Sequence, residues 1–297
     1  MPSRLNLMLT YGLLVFIWAS TPLAIVWSVS DLHPMWALLL RFLIALPLAI
    51  TVLLCLNVKF PMHKLAWLSY VAGSLSLIGS QIFTYAATAY LSSGLIALMF
   101  GLAPIMAGLI GRFGFQQKLA TLQWLGMGTS VIGLTMICLS GNQKHVQPLG
   151  ILLMLLSVFS YSLSIFWVKK INAIVQPMVQ ATGSIFVSTF FALLLLPWIW
   201  QFAPTEIPSA KSLLALTYTV IMASLIAMFC YFKLVQNLQA TTLSLTTVMT
   251  PMLAILIGAY LNHEQLSAQV FVGASIILFG LLLYFYKDLR THKRLST

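Results

Sequence analysis

GLIALMFGLAPIMAGLIGRF, residues 94–113, returns in altered form as TTLSLTTVMTPMLAILIGAY at residues 241–260. The pairing sets Pro104 against Pro251 and Gly111 against Gly258. The same spacing, 147 positions, pairs Leu119 with Leu266, Gly126 with Gly273 and Gly133 with Gly280. Upstream the spacing becomes 143, where HPM at 33–35 meets QPM at 176–178 and Trp18 meets Tyr161. An ordered set of matches over most of the chain predicts two copies of one structural unit, residues 1–143 and residues 144–297, the second with a short basic tail.

The material around the repeat decides its environment. Of the 297 residues, 61% are hydrophobic and only 6% charged, with a mean hydropathy of +1.01. Soluble domains carry about a quarter charged residues and have no means of covering so much apolar surface. The reading is an all-α membrane protein. A bilayer core of about 30 Å takes roughly 20 apolar residues per helix. Cut at its polar and Gly/Pro-rich joints, the chain gives ten runs: 5–28, 34–56, 66–88, 91–111, 119–140, 148–168, 177–200, 211–233, 241–261 and 268–286. The first run is too long for the core of a signal peptide and has no small-residue cleavage site after it, so it reads as a membrane helix.

Charge gives the orientation. With alternating spans and a cytoplasmic amino terminus, Arg4, Lys59, Lys64, Arg112, Lys118, Lys169, Lys170, Lys233 and the tail residues Lys287, Arg290, Lys293 and Arg294 fall inside. Only Lys144 and Lys211 fall outside, beside Asp31, Glu206 and Glu264. The positive-inside rule thus predicts ten spans with both termini cytoplasmic. The net charge of +11 is then an orientation signal and a contact for anionic lipid, not a footprint for nucleic acid. Five helices per unit is an odd number, so the second unit enters the membrane inverted. Inverted repeats mark secondary transporters, whose solute site lies near the midplane where the repeats meet. Pro104 and Pro251, mid-span in equivalent helices, are the expected kinks or hinges; packing bends are the alternative.

These residues resemble a known family, the EamA type of the drug/metabolite transporter superfamily. The resemblance rests on FIWAS at 16–20, LLLRFLIAL at 38–46, VMTPMLAILIGAYLNHEQLS at 248–267, and the glycines of QWLGMGTSVIGL and VFVGASIILFGL. It implies ten helices in two inverted five-helix repeats and export of amino acids or related metabolites. An acid following the proline helix is a family habit that Glu264 fits, whereas Gln117 replaces it in the first half.

Candidate solute-binding residues follow from charge, aromaticity and polarity inside the spans. Arg41 is a lone guanidinium seven residues into its run. Such a charge is costly in hydrocarbon; it either snorkels or pairs with Asp31, Glu206 or Glu264, the preferred reading, or faces a cavity and grips an anionic solute. Lys233 is an interface anchor or, if its helix runs past Leu238, an inward-pointing anion holder. Trp18, Tyr85, Tyr161, Trp167 and Tyr231 lie on helices that line the cavity in the resembled fold and offer faces for stacking or cation–π contact. Ser20, Gln81 and Thr247 offer hydrogen bonds to a solute or between helices. Gly126, Gly133, Gly273 and Gly280 permit close helix approach, expected between protomers if the chain forms a homodimer rather than a monomer. The five histidines fall in loops or the tail and the three cysteines are far apart, so no metal or catalytic constellation is expected, no cofactor, and no enzyme. The reading is a transporter of a small solute in the inner membrane. The alternatives are a multidrug exporter of lipophilic cations and a non-transporting scaffold or sensor.

Overall fold

The computed structural model describes residues 4–116, 119–139, 147–237, 246–264 and 267–295. Among them there are helices and no strands. In chain order they are α1 (Arg4–Ser28), α2 (Pro34–Cys55), α3 (Lys64–Ala87), α4 (in two pieces, Ser93–Phe100 and Ala103–Phe115) and α5 (Thr121–Leu139). There follow α6 (Pro148–Ile171), α7 (Pro177–Leu194, followed by the short helical turns Leu196–Ile199 and Trp200–Phe202), α8 (Ala210–Tyr218, Thr219–Ile226 and Ala227–Asn237 in succession), α9 (Thr246–Leu261) and α10 (Ala268–Leu295). Eight of these, all but α5 and α9, contain a stretch long and apolar enough to cross a membrane; Val248–Leu261 is a shorter apolar stretch. Large apolar side chains such as Leu54, Phe113, Tyr260 and Phe271 are exposed. In water that surface would drive aggregation, but against lipid tails it is the normal exterior.

Local chemistry fixes the helix ends. His33 precedes Pro34, and its Nδ1 accepts the Met35 N–H at 3.3 Å, while the proline occupies a first-turn position that needs no donor. Burial lowers the His33 pKa below its usual value. His63 caps α3 in the same way, accepting from the Ala66 N–H at 3.2 Å. Asn57 and Asn172 take left-handed backbone at the ends of α2 and α6, as suits asparagine after a last helical turn. α7 stops at Leu194, short of the expected residue 200, because Pro197 cannot continue its hydrogen-bond ladder.

Two helices are wound more loosely than an α-helix. Leu75–Gly79 in α3 and Thr219–Ile226 in α8 are π-helical, with one extra residue per turn. They lie at near-equivalent places in the two halves, since 75–79 shifted by 147 positions is 222–226. α4 is interrupted at Gly101–Leu102, where Pro104 has no N–H to offer the Phe100 carbonyl. Pro251, by contrast, sits inside the continuous helix α9. The helix is thus interrupted next to Pro104 and continuous through Pro251. The two prolines' helices touch at this level: a Cβ on Gly101 would stand 3.0 Å from Pro251 Cγ.

The glycines read as packing contacts, between protomers or within one, pack against each other within the chain. A Cβ on Gly126 would lie 2.5 Å from the Gly280 carbonyl oxygen, and one on Gly133 would lie 2.6 Å from that of Gly273. α5 and α10 thus cross at backbone distance, a contact open only to residues without side chains. The adjoining core joins Ile96 and Leu98 of α4, Met154 of α6 and Ile277 and Leu281 of α10.

Glu264 is engaged at the start of α4. Glu264 Oε1 accepts from the Ser93 N–H at 3.0 Å and hydroxyl at 2.7 Å, and its Oε2 accepts from the Gly94 N–H at 3.2 Å. A carboxylate here compensates the orphan donors and positive dipole end of α4. Asn262 donates to the same carboxylate and accepts from the Trp27 indole at 2.8 Å. Gln117, the counterpart of Glu264, lies outside the described residues.

Candidate functional site

Arg41 is buried, 5% exposed, and points into the bundle between α3 and α8. Its Nε donates to Ser224 Oγ at 3.1 Å and its Nη1 to Gln81 Oε1 at 3.2 Å. Ser224 in turn donates to the Thr219 carbonyl at 2.9 Å, five residues back, inside the π-helical stretch. Loose winding displaces carbonyls from the regular ladder, and a serine hydroxyl within reach takes one of them up. Arg41 is thereby held to one helix of each half through neutral oxygens.

This corrects the expectation that Arg41 would snorkel or meet an acid. Glu264 is engaged at the start of α4, and Asp31 accepts the Ser209 N–H at 2.9 Å and the Ser209 hydroxyl. Those bonds hold the Asp31 carboxyl below the usual carboxylate range. Glu206 is exposed. A buried guanidinium served by neutral dipoles keeps most of its field, which is what an anion-binding group requires.

The aromatic candidates divide. Trp18 of α1 and Tyr231 of α8 pack with ring centroids 5.5 Å apart, tilted by 39°. Two residues after Trp18, Ser20 shares a 2.6 Å hydrogen bond with the Tyr218 hydroxyl. Tyr161 of α6 stands edge-on to Phe100 at 6.2 Å, beside the break in α4. Tyr85 does not face an open space: it is fully buried among Leu38, Leu39, Phe42 and Ile78. Its position one turn beyond Gln81 carries it into the outer core, where its hydroxyl has no hydrogen-bond partner among the described residues. Trp167 is 49% exposed, as suits an interfacial ring rather than a cavity wall. The Thr247 side chain lies outside the described residues.

Lys233 is half-buried and turns toward α1, donating to Asn6 Oδ1 at 2.7 Å and Thr10 Oγ1 at 3.4 Å. It also borders a cavity of about 600 Å³ between α2, α7 and α8. Ser224, the partner of Arg41, lines the same cavity nine residues from Lys233, about 13 Å along the helix. Sequence reasoning found Arg41, Gln81 and Lys233 but missed Ser224, Asn6 and Thr10. An uncharged serine in an apolar run carries no signal until the winding of its helix is known. No group of three or more His, Cys, Asp or Glu residues is placed to hold a metal among the described residues.

The EamA-like transporter family matches the chain twice, at residues 7–139 and 148–286. The chain is 26% identical to the uncharacterized inner membrane transporter YedA of Escherichia coli K12, covering 91% of this chain and 87% of that protein. It is 23% identical to protein PagO of Salmonella typhimurium LT2, covering 94% and 93%. It is 22% identical to the uncharacterized transporter YdfC of Bacillus subtilis 168, covering 97% and 94%. A protein of known crystal structure shares the fold at a TM-score of 0.66 and 18% identity, covering 99% of this chain and all of the other.

Proposed function

Because the chain belongs to the EamA-like transporter family, we propose that it is a ten-span inner-membrane secondary transporter exporting amino acids or related small metabolites by alternating access. In this reading residues 1–143 and 144–297 are inverted repeats with both termini in the cytoplasm. Two facts support the repeat. The family match falls once in each half. The equivalent glycines also pair reciprocally, Gly126 with Gly280 and Gly133 with Gly273, as a two-fold axis in the membrane plane demands.

Arg41 carries the proposal. It ties Gln81 of the first half, two residues past one loosely wound stretch, to Ser224 of the second, inside the other. A solute carboxylate or phosphate that displaced these neutral acceptors would form stronger, charge-assisted bonds. It would also release a link between the halves, coupling binding to their relative motion. Trp18, Tyr161 and Tyr231 supply apolar faces for the rest of the solute. Lipophilic cations suit the ring pair but not Arg41 and Lys233.

The test is thermal unfolding of the purified protein with amino acids, organic anions, nucleotide sugars and lipophilic cations. A ligand at a hundred times its dissociation constant adds about 2.7 kcal/mol to the folded state. Stabilisation by amino acids or anions supports the proposal. Stabilisation by lipophilic cations alone favours the multidrug reading.

A further inference from the structure

The cavity between α2, α7 and α8 has a composition that specifies an occupant. Its volume of about 600 Å³ lies in the range of small-molecule sites. Its walls are mostly apolar, with Ala49 and Val52 on α2, Ala181 and Ile185 on α7, and Leu225 and Phe229 on α8. None of its described lining residues is acidic, and its only charged one is Lys233. The Asn6 and Thr10 oxygens that accept from Lys233 are neutral. At the other end Ser224 accepts from Arg41, so a basic side chain stands at one end of the cavity and another behind its opposite end. A compact polar metabolite would leave most of its hydrogen bonds unmade against these walls.

The opening matters as much as the lining. Leu56 and Phe229, which border the cavity, are 57% and 54% exposed. The cavity therefore communicates with the apolar exterior of the bundle, at the end that carries Lys233. On the positive-inside orientation that end is cytoplasmic.

We propose that this cleft binds a single-chain amphipathic anion drawn from the cytoplasmic leaflet, its carboxylate or phosphate on Lys233 and its apolar chain running along α8 toward Ser224. The leaflet supplies such a molecule with head and tail already at these two depths, so entry needs no passage of the charge through hydrocarbon. The inference rests on the membrane-transporter reading for its sidedness, but occupancy of the cleft is measured without flux, so the two fail separately.

Photolabelling tests it, with the full-length protein in phosphatidylcholine nanodiscs and a diazirine-bearing dodecanoate as probe. Label is expected on residues 176–185 and 224–233, competed by dodecanoate and not by dodecyltrimethylammonium. Lys233→Gln is expected to weaken labelling about tenfold, the loss of one charge-assisted contact, whereas Lys233→Arg keeps it. Thr182→Trp, which fills the cavity from α7, is expected to abolish labelling while its melting temperature shows that it folds. Labelling that maps elsewhere, that the cation competes equally, or that survives Thr182→Trp overturns the proposal.

Discussion

Arg41 makes hydrogen bonds to two neutral oxygens in a setting where a carboxylate partner would have been the conventional solution. The difference has a measurable consequence. A salt-bridged arginine is saturated, whereas one held by Gln81 and Ser224 can exchange these acceptors for a charged one. Arg41→Ala is expected to lower solute flux more than tenfold, the worth of a single charge-assisted contact. Arg41→Lys keeps the charge but loses the two-pronged donor geometry and should retain an intermediate rate. If Arg41→Ala folds and transports like wild type, the residue is structural. His33 makes a second prediction at this scale. Its folded pKa lies below the usual value of 6.5, so the folded state binds fewer protons than the unfolded chain. Its contribution to stability is present at neutral pH and falls as pH drops below 6.5, because Nδ1 must be unprotonated to accept from Met35. His33→Asn, which keeps a capping acceptor but does not titrate, should flatten that part of the melting-temperature profile. Glu264→Gln should cost about 0.5–2 kcal/mol in thermal unfolding, the usual worth of a helix cap.

Between helices the governing contacts are those that only glycine allows. Gly126→Leu or Gly133→Leu forces α5 and α10 apart against backbone atoms and should destabilise by about 1–3 kcal/mol, the range for overpacking. Gly128→Leu on the same helix is the control, since a Cβ there meets nothing within 4 Å. Equal melting temperatures for Gly126→Leu and Gly128→Leu would contradict the crossing. The loosely wound stretches of α3 and α8 explain where reading the sequence fell short. A π-helical turn shifts every later side chain around the helix axis relative to a 3.6-residue pattern. Ser224 therefore arrives opposite Arg41 although nothing in its neighbours announces it. Tyr85 differs the other way: its helix lines the cavity in the resembled fold and offered its aromatic face, but one turn past Gln81 the ring is sealed in the core.

For the molecule as a whole, the helices were legible because a bilayer imposes long uncharged runs, and every run contains a helix among the described residues. The family was legible from ordered weak motifs, and the match in each half agrees with it. The site was legible only where it carried charge. Arg41 and Lys233 stood out against an apolar background, but the partners that give them meaning are neutral and distant in sequence. Asn6 and Thr10 reach Lys233 from the far end of the chain, a proximity set by how α1 packs on α8. The proposed alternating motion requires those halves to move against each other while the α5–α10 crossing holds.

The most direct test of the account is solute flux in proteoliposomes of the purified protein, loaded in turn with amino acids and small organic anions. Wild type is expected to give saturable, solute-selective flux that is lost in a folded Arg41→Ala variant. Flux no greater than that of protein-free vesicles across the whole panel would contradict it.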